Sequence, residues 1–222
     1  MTGGHPPAPI GVFGGTFDPI HYGHLRTAYE VLQALRLREV RFVPAGDPPH
    51  RDLPRVDAAI RLELVRAATA DQPGFVVDDR EVRRAGPSYT VLTLGELRAE
   101  FPATPICLIV GMDAFRGLPT WHRWQELLEL AHVVVAPRPG WDAPREGPLG
   151  ELLVSRRVAS AEALHQRASG QIYVQPVTQL EISSSELREL LAAGRDPRYL
   201  VPDTVRELVR RTDCYSASQP TR

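Results

Sequence analysis

The chain has 222 residues, of which 43% are hydrophobic, and a formal net charge of −1. This length suits one large domain or two small ones, and the near-neutral charge excludes the broad basic field typical of nucleic-acid binding. All 26 basic residues are arginine, which excludes a Walker A lysine, a Schiff-base lysine and a kinase-type lysine. Phosphate chemistry in this chain therefore depends on arginine, histidine and backbone N–H groups.

Strands and helices are predicted to alternate along the chain. After a flexible tail (1–9), short apolar runs predict strands at 10–13, 40–45, 75–79, 106–111, 133–137 and 172–177. Apolar residues at helical spacing predict helices from Leu25, Ile60, Val91 and Trp124, a helix over 183–193 and a last helix after Pro202. The fourth strand is the most uniformly apolar and is expected to be central and buried on both faces. The segment 138–170 is ambiguous, and 216–222 are expected to form a second tail.

This alternation predicts a single α/β domain over 10–215. We expect a mostly parallel sheet with helices on both faces and a small C-terminal helical part. Ligands of such folds bind at the carboxyl ends of the strands, near the point where the strand order reverses. Residues that directly follow predicted strands are therefore the first candidates for a functional site.

The stretch GGTFDPIHYGHL (14–25) follows the first predicted strand. Gly14 and Gly15 permit positive φ and close approach of a ligand to the backbone. His21 and His24 flank a predicted helix start, where N–H groups and the helix dipole attract anions. This pattern favours a nucleotide phosphate site over a simple tight turn. It also fits poorly with zinc, since no third ligand is near, and with a dinucleotide fingerprint, since the GxGxxG spacing is absent.

A second anion-binding pattern lies in EISSSELRELLAAG (181–194). Ser183 and Glu186 have the spacing of a capping box, which by itself indicates only a well-capped helix. Ser184, Ser185 and Arg188 add hydroxyl donors and a guanidinium at the same helix start. The two strand-to-helix junctions are expected to face one triphosphate.

These motifs resemble those of the bacterial nicotinate-nucleotide adenylyltransferase family, within the HxGH nucleotidyltransferase superfamily. GGTFDPIHYGHL and ISSSELR are typical of the superfamily, and GPSYTVLTL (86–94), VGMDAFRGLPTWHRW (110–124) and RPG (138–140) of the family. The resemblance spans about residues 10 to 212. It implies a Rossmann-like fold and transfer of AMP from ATP to nicotinate mononucleotide, with Mg²⁺, giving deamido-NAD and pyrophosphate in NAD biosynthesis.

The resemblance also implies roles for particular residues. His21, His24 and Arg188 would act on the ATP phosphates, and the rest of the ATP site would comprise Gly14, Gly15, Thr16, Phe17, Gly111, Asp113, Ile182, Ser183 and Ser184. Nicotinate mononucleotide would contact Arg51, Thr90, Trp121, His122 and Arg138, with Trp121 stacked on the ring. The family usually has lysine where this chain has Arg51, which keeps the charge but changes its geometry.

Several residues have a plainer alternative. Trp121 could begin a helix whose aromatic residues pack inward, as we expect of Trp124. Asp113 could be a helix N-cap, and Asp18 is expected to form a turn before Pro19. Arg138 either adds charge to the site or anchors a turn. The loop 48–55 either closes over the substrate or is a surface loop.

The expected mechanism is direct in-line attack without a covalent intermediate, because the mononucleotide phosphate is already ionised at neutral pH. Mg²⁺ would be held mainly by the phosphates, with no metal site in the protein. The rivals are another superfamily enzyme, such as a pantetheine-phosphate or cytidylyl transferase, a non-catalytic nucleotide-binding module and a dehydrogenase.

Cellular context is also indicated by the sequence. The two cysteines are too few for a disulfide scaffold, no apolar run could span a bilayer, and the N-terminus lacks the pattern of a signal peptide. We expect a cytoplasmic protein, monomeric or homodimeric, without membrane or nucleic-acid partners.

Overall fold

A computed structural model of the protein describes residues 7–48, 54–137 and 144–216. In these residues six strands form one all-parallel sheet in the order β3-β2-β1-β4-β5-β6. The strands are β1 Ile10–Gly15, β2 Glu39–Pro44, β3 Phe75–Val77, β4 Ile106–Gly111, β5 His132–Ala136 and β6 Ile172–Val174. Because the order reverses between β1 and β4, the carboxyl ends of these two strands form the switch point where ligands of such sheets bind.

Helices connect the strands. The α-helices of the described segments are α1 Tyr22–Ala34, α2 Ala58–Thr69, α3 Arg80–Arg83, α4 Thr90–Glu100, α5 Met112–Arg116, α6 Leu127–Leu130, α7 Gly147–Arg156, α8 Ser184–Ala192 and α9 Asp203–Thr212. Short 3₁₀ turns occur at Leu118–Thr120, Trp124–Glu126 and Ala161–His165.

The core consists of two layers, one on each face of the sheet. In β4, Ile106, Leu108 and Val110 face one layer, whereas Cys107 and Ile109 face the other. Helices α4 to α7 contribute buried residues to the first layer, and α1, α2, α8 and α9 to the second. This arrangement confirms the predicted α/β fold and the central, doubly buried position of the fourth strand.

Some predicted elements differ from the structure. The helix expected from Trp124 is a 3₁₀ turn followed by a single α-helical turn, since β5 begins at His132 and leaves no room for more. Strands β3 and β6 are shorter than expected, and the short helices α3 and α5 were not predicted. The ambiguous segment contains α7 and the 3₁₀ turn 161–165, while residues 138–143 lie outside the described part of the chain.

The prediction about Gly14 and Gly15 was wrong in one respect. Both residues belong to β1, where they pair with Val43 and Pro44 of β2, so the strand ladder holds them in extended backbone. The left-handed conformation occurs instead at Phe17, with φ 49°.

An arginine on α4 connects three segments below β5. The Arg98 guanidinium donates hydrogen bonds of 2.7 to 2.9 Å to backbone carbonyls of Leu130, Ala168, Thr104 and Phe101. The carbonyls of Ala168 and Phe101 also accept from the backbone N–H groups of Ile106 and Thr104, whereas Arg98 is the donor that the structure gives for those of Leu130 and Thr104. Arg98 therefore ties α4, α6 and the loop before β6 together.

Candidate active site

A cavity of about 870 Å³ lies at the switch point of the sheet. Its walls are the carboxyl ends of β1 and β4 and the N-termini of α1, α5 and α8. The structure brings together every residue predicted for the ATP phosphates and the ATP site: Gly14, Gly15, Thr16, Phe17, His21, His24, Gly111, Asp113, Ile182, Ser183, Ser184 and Arg188. The two distant junctions thus line one cavity, and the expectation that they face one triphosphate stays a prediction.

The absence of side chains on the two glycines shapes the cavity floor. A Cβ atom on Gly14 would meet no other atom within 4 Å, so this face of the strand is open to a ligand. A Cβ atom on Gly15 would lie 3.1 Å from the Phe17 ring. Gly14 thus leaves room beside the backbone without positive φ, and close approach of a ligand there stays a prediction.

The two histidines are stacked at the start of α1. His21 is the N-cap residue, and its ring lies 3.8 Å from that of His24, at an angle of 28°. The His21 backbone N–H donates to Nδ1 of His24 at 3.4 Å. The His24 ring also packs edge-on against Phe17, with the ring centroids 5.1 Å apart. These contacts hold both imidazole rings at the N-terminus of α1, which is the positive end of the helix dipole.

Burial determines the protonation of His21. The residue is only 5% exposed, and its Nδ1 atom is buried without a hydrogen-bond partner. Desolvation lowers its pKa from the ordinary 6.5 to about 4. His21 is therefore neutral at pH 7 and can offer a ligand a hydrogen bond but not a charge.

The N-terminus of α8 supplies the positive charge. Ser183 caps the helix, its hydroxyl accepting from the Glu186 N–H at 3.4 Å; of the two capping-box bonds predicted, the described residues show this one. The Ser184 hydroxyl donates to the Pro19 carbonyl at 3.0 Å, so its proton is already used. Arg188 donates to the Asp18 carbonyl at 2.8 Å and to the Ser185 hydroxyl at 3.1 Å.

The residues assigned to the fourth-strand junction also line the cavity. Gly111 is the N-cap of α5, so the alternative that made Asp113 the cap was wrong. Asp113 lies in the first turn of that helix and is exposed.

A second cavity, of about 190 Å³, adjoins the first. Gly14, Gly15, Thr16 and Gly111 line both, so the two cavities share the ends of β1 and β4. Thr90, Trp121 and His122, predicted to contact the mononucleotide, line the second cavity. Arg51 and Arg138, together with His50 and most of the loop 48–55, lie outside the described residues.

Two residues of the second cavity were missed from the sequence. Tyr89 stacks on His122, with ring centroids 4.3 Å apart and 29° between the rings. The position of Tyr89 beside Thr90 in the GPSYT motif was the feature of the sequence that indicated a place in this cavity. Glu81 is buried, accepts a hydrogen bond of 2.5 Å from the Thr93 hydroxyl, and has its pKa raised by desolvation. Nothing in the local pattern indicated that the four-residue helix α3 would bury this carboxylate.

The sequence left core packing and ligand contact open for Trp121, and it predicted only a turn at Asp18. Trp121 and Trp124 are both partly buried against the same core layer, so core packing and cavity lining coexist at Trp121. Asp18 precedes Pro19 in a cis peptide, as a turn residue could. Yet its carboxylate is only 3% exposed and accepts from the Tyr215 hydroxyl and the Arg55 N–H, at 2.7 and 2.8 Å.

A metal-binding group and a membrane-spanning helix are both absent from the described residues. They contain no group of three or more histidine, cysteine or acidic residues that could hold a metal ion. Nor do they include a helix long and apolar enough to cross a bilayer. Both cysteines are free and buried, and burial raises the pKa of Cys107 to about 12, which makes it unreactive.

Comparisons with known proteins agree with this geometry. The model of the cytidylyltransferase-like family matches residues 12–190. A probable nicotinate-nucleotide adenylyltransferase of Aeromonas salmonicida is 50% identical over 95% of this chain and 98% of its own length. One of Halorhodospira halophila is 53% identical over 95% of this chain and 96% of its own. Among solved structures, the nicotinic acid mononucleotide adenylyltransferase of Plasmodium falciparum complexed with NaAD superposes with a TM-score of 0.70. It is 16% identical and covers 94% of this chain and 97% of its own, so it supports the fold alone.

Proposed function

The chain belongs to the cytidylyltransferase-like family and, within it, to the nicotinate-nucleotide adenylyltransferases, and we propose that it joins the AMP part of ATP to nicotinate mononucleotide by direct displacement of pyrophosphate. The product is nicotinate adenine dinucleotide, an intermediate of NAD biosynthesis. The observation that carries the proposal is the convergence of the α1 and α8 N-termini on one cavity that adjoins a second, aromatic one.

Each cavity suits one substrate. The larger cavity accommodates ATP, with its phosphates at the helix N-termini beside His21, His24 and Arg188. Gly111 and Asp113, which line the same cavity, would contact the ribose. The smaller cavity accommodates the pyridine ring between aromatic side chains, with Trp121 as the stacking partner. The shared floor then brings the mononucleotide phosphate close to the α-phosphorus.

The reaction needs no general base. An oxygen of the mononucleotide phosphate forms a bond to the α-phosphorus of ATP, and the bond from that phosphorus to the bridging oxygen breaks. Pyrophosphate leaves with the electron pair. Because the second pKa of a phosphomonoester is near 6, the attacking oxygen is ionised at neutral pH. Rate acceleration therefore comes from positioning and from stabilising charge, and no covalent intermediate is formed.

The protein residues divide this work. Arg188 neutralises part of the phosphate charge, because a guanidinium stays protonated at any relevant pH. His21, neutral because it is buried, donates a hydrogen bond to a phosphate oxygen. His24, held against Phe17, provides the second imidazole.

Mg²⁺ enters this site as the ATP complex. The carboxylate that lines the cavity most deeply, Asp18, already accepts two hydrogen bonds, and the described residues offer no metal-binding group of three. A cation that takes its ligands mainly from the triphosphate fits this donor set. When bound, it neutralises charge on the phosphates.

The test measures pyrophosphate release from purified protein, ATP and Mg²⁺ with either nicotinate or nicotinamide mononucleotide. A strong preference for nicotinate mononucleotide is the expected result, and it would place a reader of the carboxylate near Trp121. Equal use of both would retain the reaction but show a permissive pyridine pocket. ATP binding without release from either would favour a non-catalytic nucleotide-binding module.

Other expectations from the sequence stay predictions. These are the domain limits 10–215, the two tails, the cytoplasmic location, the monomeric or homodimeric state, the absence of a nucleic-acid partner and the roles of Arg51 and Arg138.

A further inference from the structure

The residues that follow α9 pack against Asp18, which lines the larger cavity. Helix α9 ends at Thr212, and its C-cap residue Asp213 adopts φ 49° and turns the chain inward. Tyr215 follows and is 2% exposed, within the same core layer as Phe17. Its hydroxyl donates to Oδ1 of Asp18 at 2.7 Å, across a sequence separation of 197 residues.

Asp18 is thereby held from two sides. Its Oδ1 accepts from Tyr215, and its Oδ2 accepts from the Arg55 backbone N–H at 2.8 Å. The Arg55 side chain in turn donates to the Ser216 carbonyl at 3.2 Å, which closes a ring of contacts. Two donors on two different oxygens leave the carboxylate one orientation.

The orientation of the Asp18 carboxylate determines how closely it approaches the Arg188 guanidinium. Arg188 Nη1 donates to the Asp18 carbonyl oxygen at 2.8 Å and forms a long ion pair with the Asp18 carboxylate at 3.9 Å, too far for a hydrogen bond. The guanidinium is thus oriented mainly by the backbone of the turn, and its side chain remains one-third exposed in the wall of the cavity. A carboxylate free to rotate would approach Arg188 within hydrogen-bond distance and compete more strongly with a phosphate for it.

We propose that Tyr215 is a positioning residue, which restrains the Asp18 carboxylate and so keeps Arg188 available to the triphosphate. The inference rests on the proposed function in one respect, namely that Arg188 binds ATP phosphate. It adds that the far end of the chain sets the affinity for ATP without touching it. A merely structural Tyr215 would instead affect the folded fraction and both substrates alike.

The experiment is a double-mutant cycle on ATP binding. Tyr215→Phe removes the hydroxyl and keeps the ring, and Arg188→Ala removes the group through which Tyr215 acts. Titration calorimetry with ATP and Mg²⁺ reports the dissociation constant separately from the stoichiometry, so partly unfolded protein lowers the stoichiometry and not the affinity. Tyr173→Phe, a partly buried tyrosine against the same core layer, is the matched control.

Tyr215→Phe is expected to weaken ATP binding about tenfold in the wild-type background and less than about twofold in Arg188→Ala. In the activity assay the KM for ATP rises, while the KM for nicotinate mononucleotide stays within about twofold. Tyr173→Phe leaves ATP binding unchanged. The inference is overturned if Tyr215→Phe binds ATP as the wild type does, or if it weakens binding by the same factor in both backgrounds.

A second variant tests the inference if Tyr215→Phe does not fold. Tyr215→Met also lacks the hydroxyl and fills the space with a flexible apolar side chain, and the same cycle is expected from it. Failure of the inference and of the proposed function are distinguishable. Absence of pyrophosphate release overturns the function and leaves the calorimetric cycle readable, whereas independent factors in the cycle overturn the inference and leave the function in place.

Discussion

Acidification should destabilise the protein through His21. Its pKa is about 4 in the folded state against an ordinary 6.5, so between these pH values the unfolded chain binds more protons than the folded one. Stability due to this group is therefore present above pH 6.5 and is lost as the pH falls toward 4. With these two pKa values, the loss between pH 7 and pH 5 amounts to about 2 kcal/mol.

The assay is urea unfolding of the wild type and of His21→Gln at pH 7 and pH 5. Other groups also titrate in this range, including His132, whose pKa is lowered by burial. Their contribution cancels when the pH-dependent loss of the variant is subtracted from that of the wild type. The wild type should lose about 2 kcal/mol more than the variant.

The control is His122→Gln, which makes the same substitution at an exposed imidazole. Equal losses in the wild type and in His21→Gln would refute the reasoning. They would mean that burial does not lower the pKa of His21 in the folded protein.

Four further predictions concern single side chains. His24→Ala should lower kcat about a hundredfold with the fold intact; an unchanged kcat would contradict the mechanism. Trp121→Ala should raise the KM for nicotinate mononucleotide about tenfold and leave that for ATP within about twofold, because ring stacking is lost at one substrate only. Gly14→Val should fold normally yet weaken ATP binding about tenfold or more, since its side chain enters open cavity space; calorimetry decides. Arg98→Met should lower the free energy of unfolding by about 3 kcal/mol, because the carbonyls of Thr104 and Leu130 lose their donor. Arg83→Met, at a 73% exposed side chain, is its control and should change stability by less than about 0.5 kcal/mol in urea unfolding.

The absence of lysine constrains how this site manages charge. An arginine side chain cannot be deprotonated near neutral pH, and its planar donor fork suits phosphate oxygens. Arg188 can therefore stay charged beside the buried, neutral His21. The site thus combines one permanent cation with a neutral donor, which suits a reaction whose nucleophile is already ionised.

Local patterns were sufficient for the architecture. Apolar runs and helical spacing identified every strand of the described sheet and the helices α1, α2, α4, α8 and α9, though not the ten-residue α7, because burial of periodic apolar residues depends on near neighbours in sequence. The same holds for the helix starts that carry His21 and Arg188, whose N-terminal signals are confined to a few residues. Both junctions for which anion binding is proposed are therefore recognisable from the amino-acid sequence alone.

The protonation state of His21 and the contacts between distant segments of the chain follow from the tertiary structure alone. The pKa of His21 depends on desolvation by the packed core, and a sequence pattern contains no burial. The bond from Tyr215 to Asp18 joins residues 197 apart, and the turn-forming role expected for Asp18 could not indicate it. Glu81 is buried where its carboxylate meets Thr93 of α4. Contacts of this kind have no period along the chain, since they arise where separate elements meet, and the fold must form before they exist.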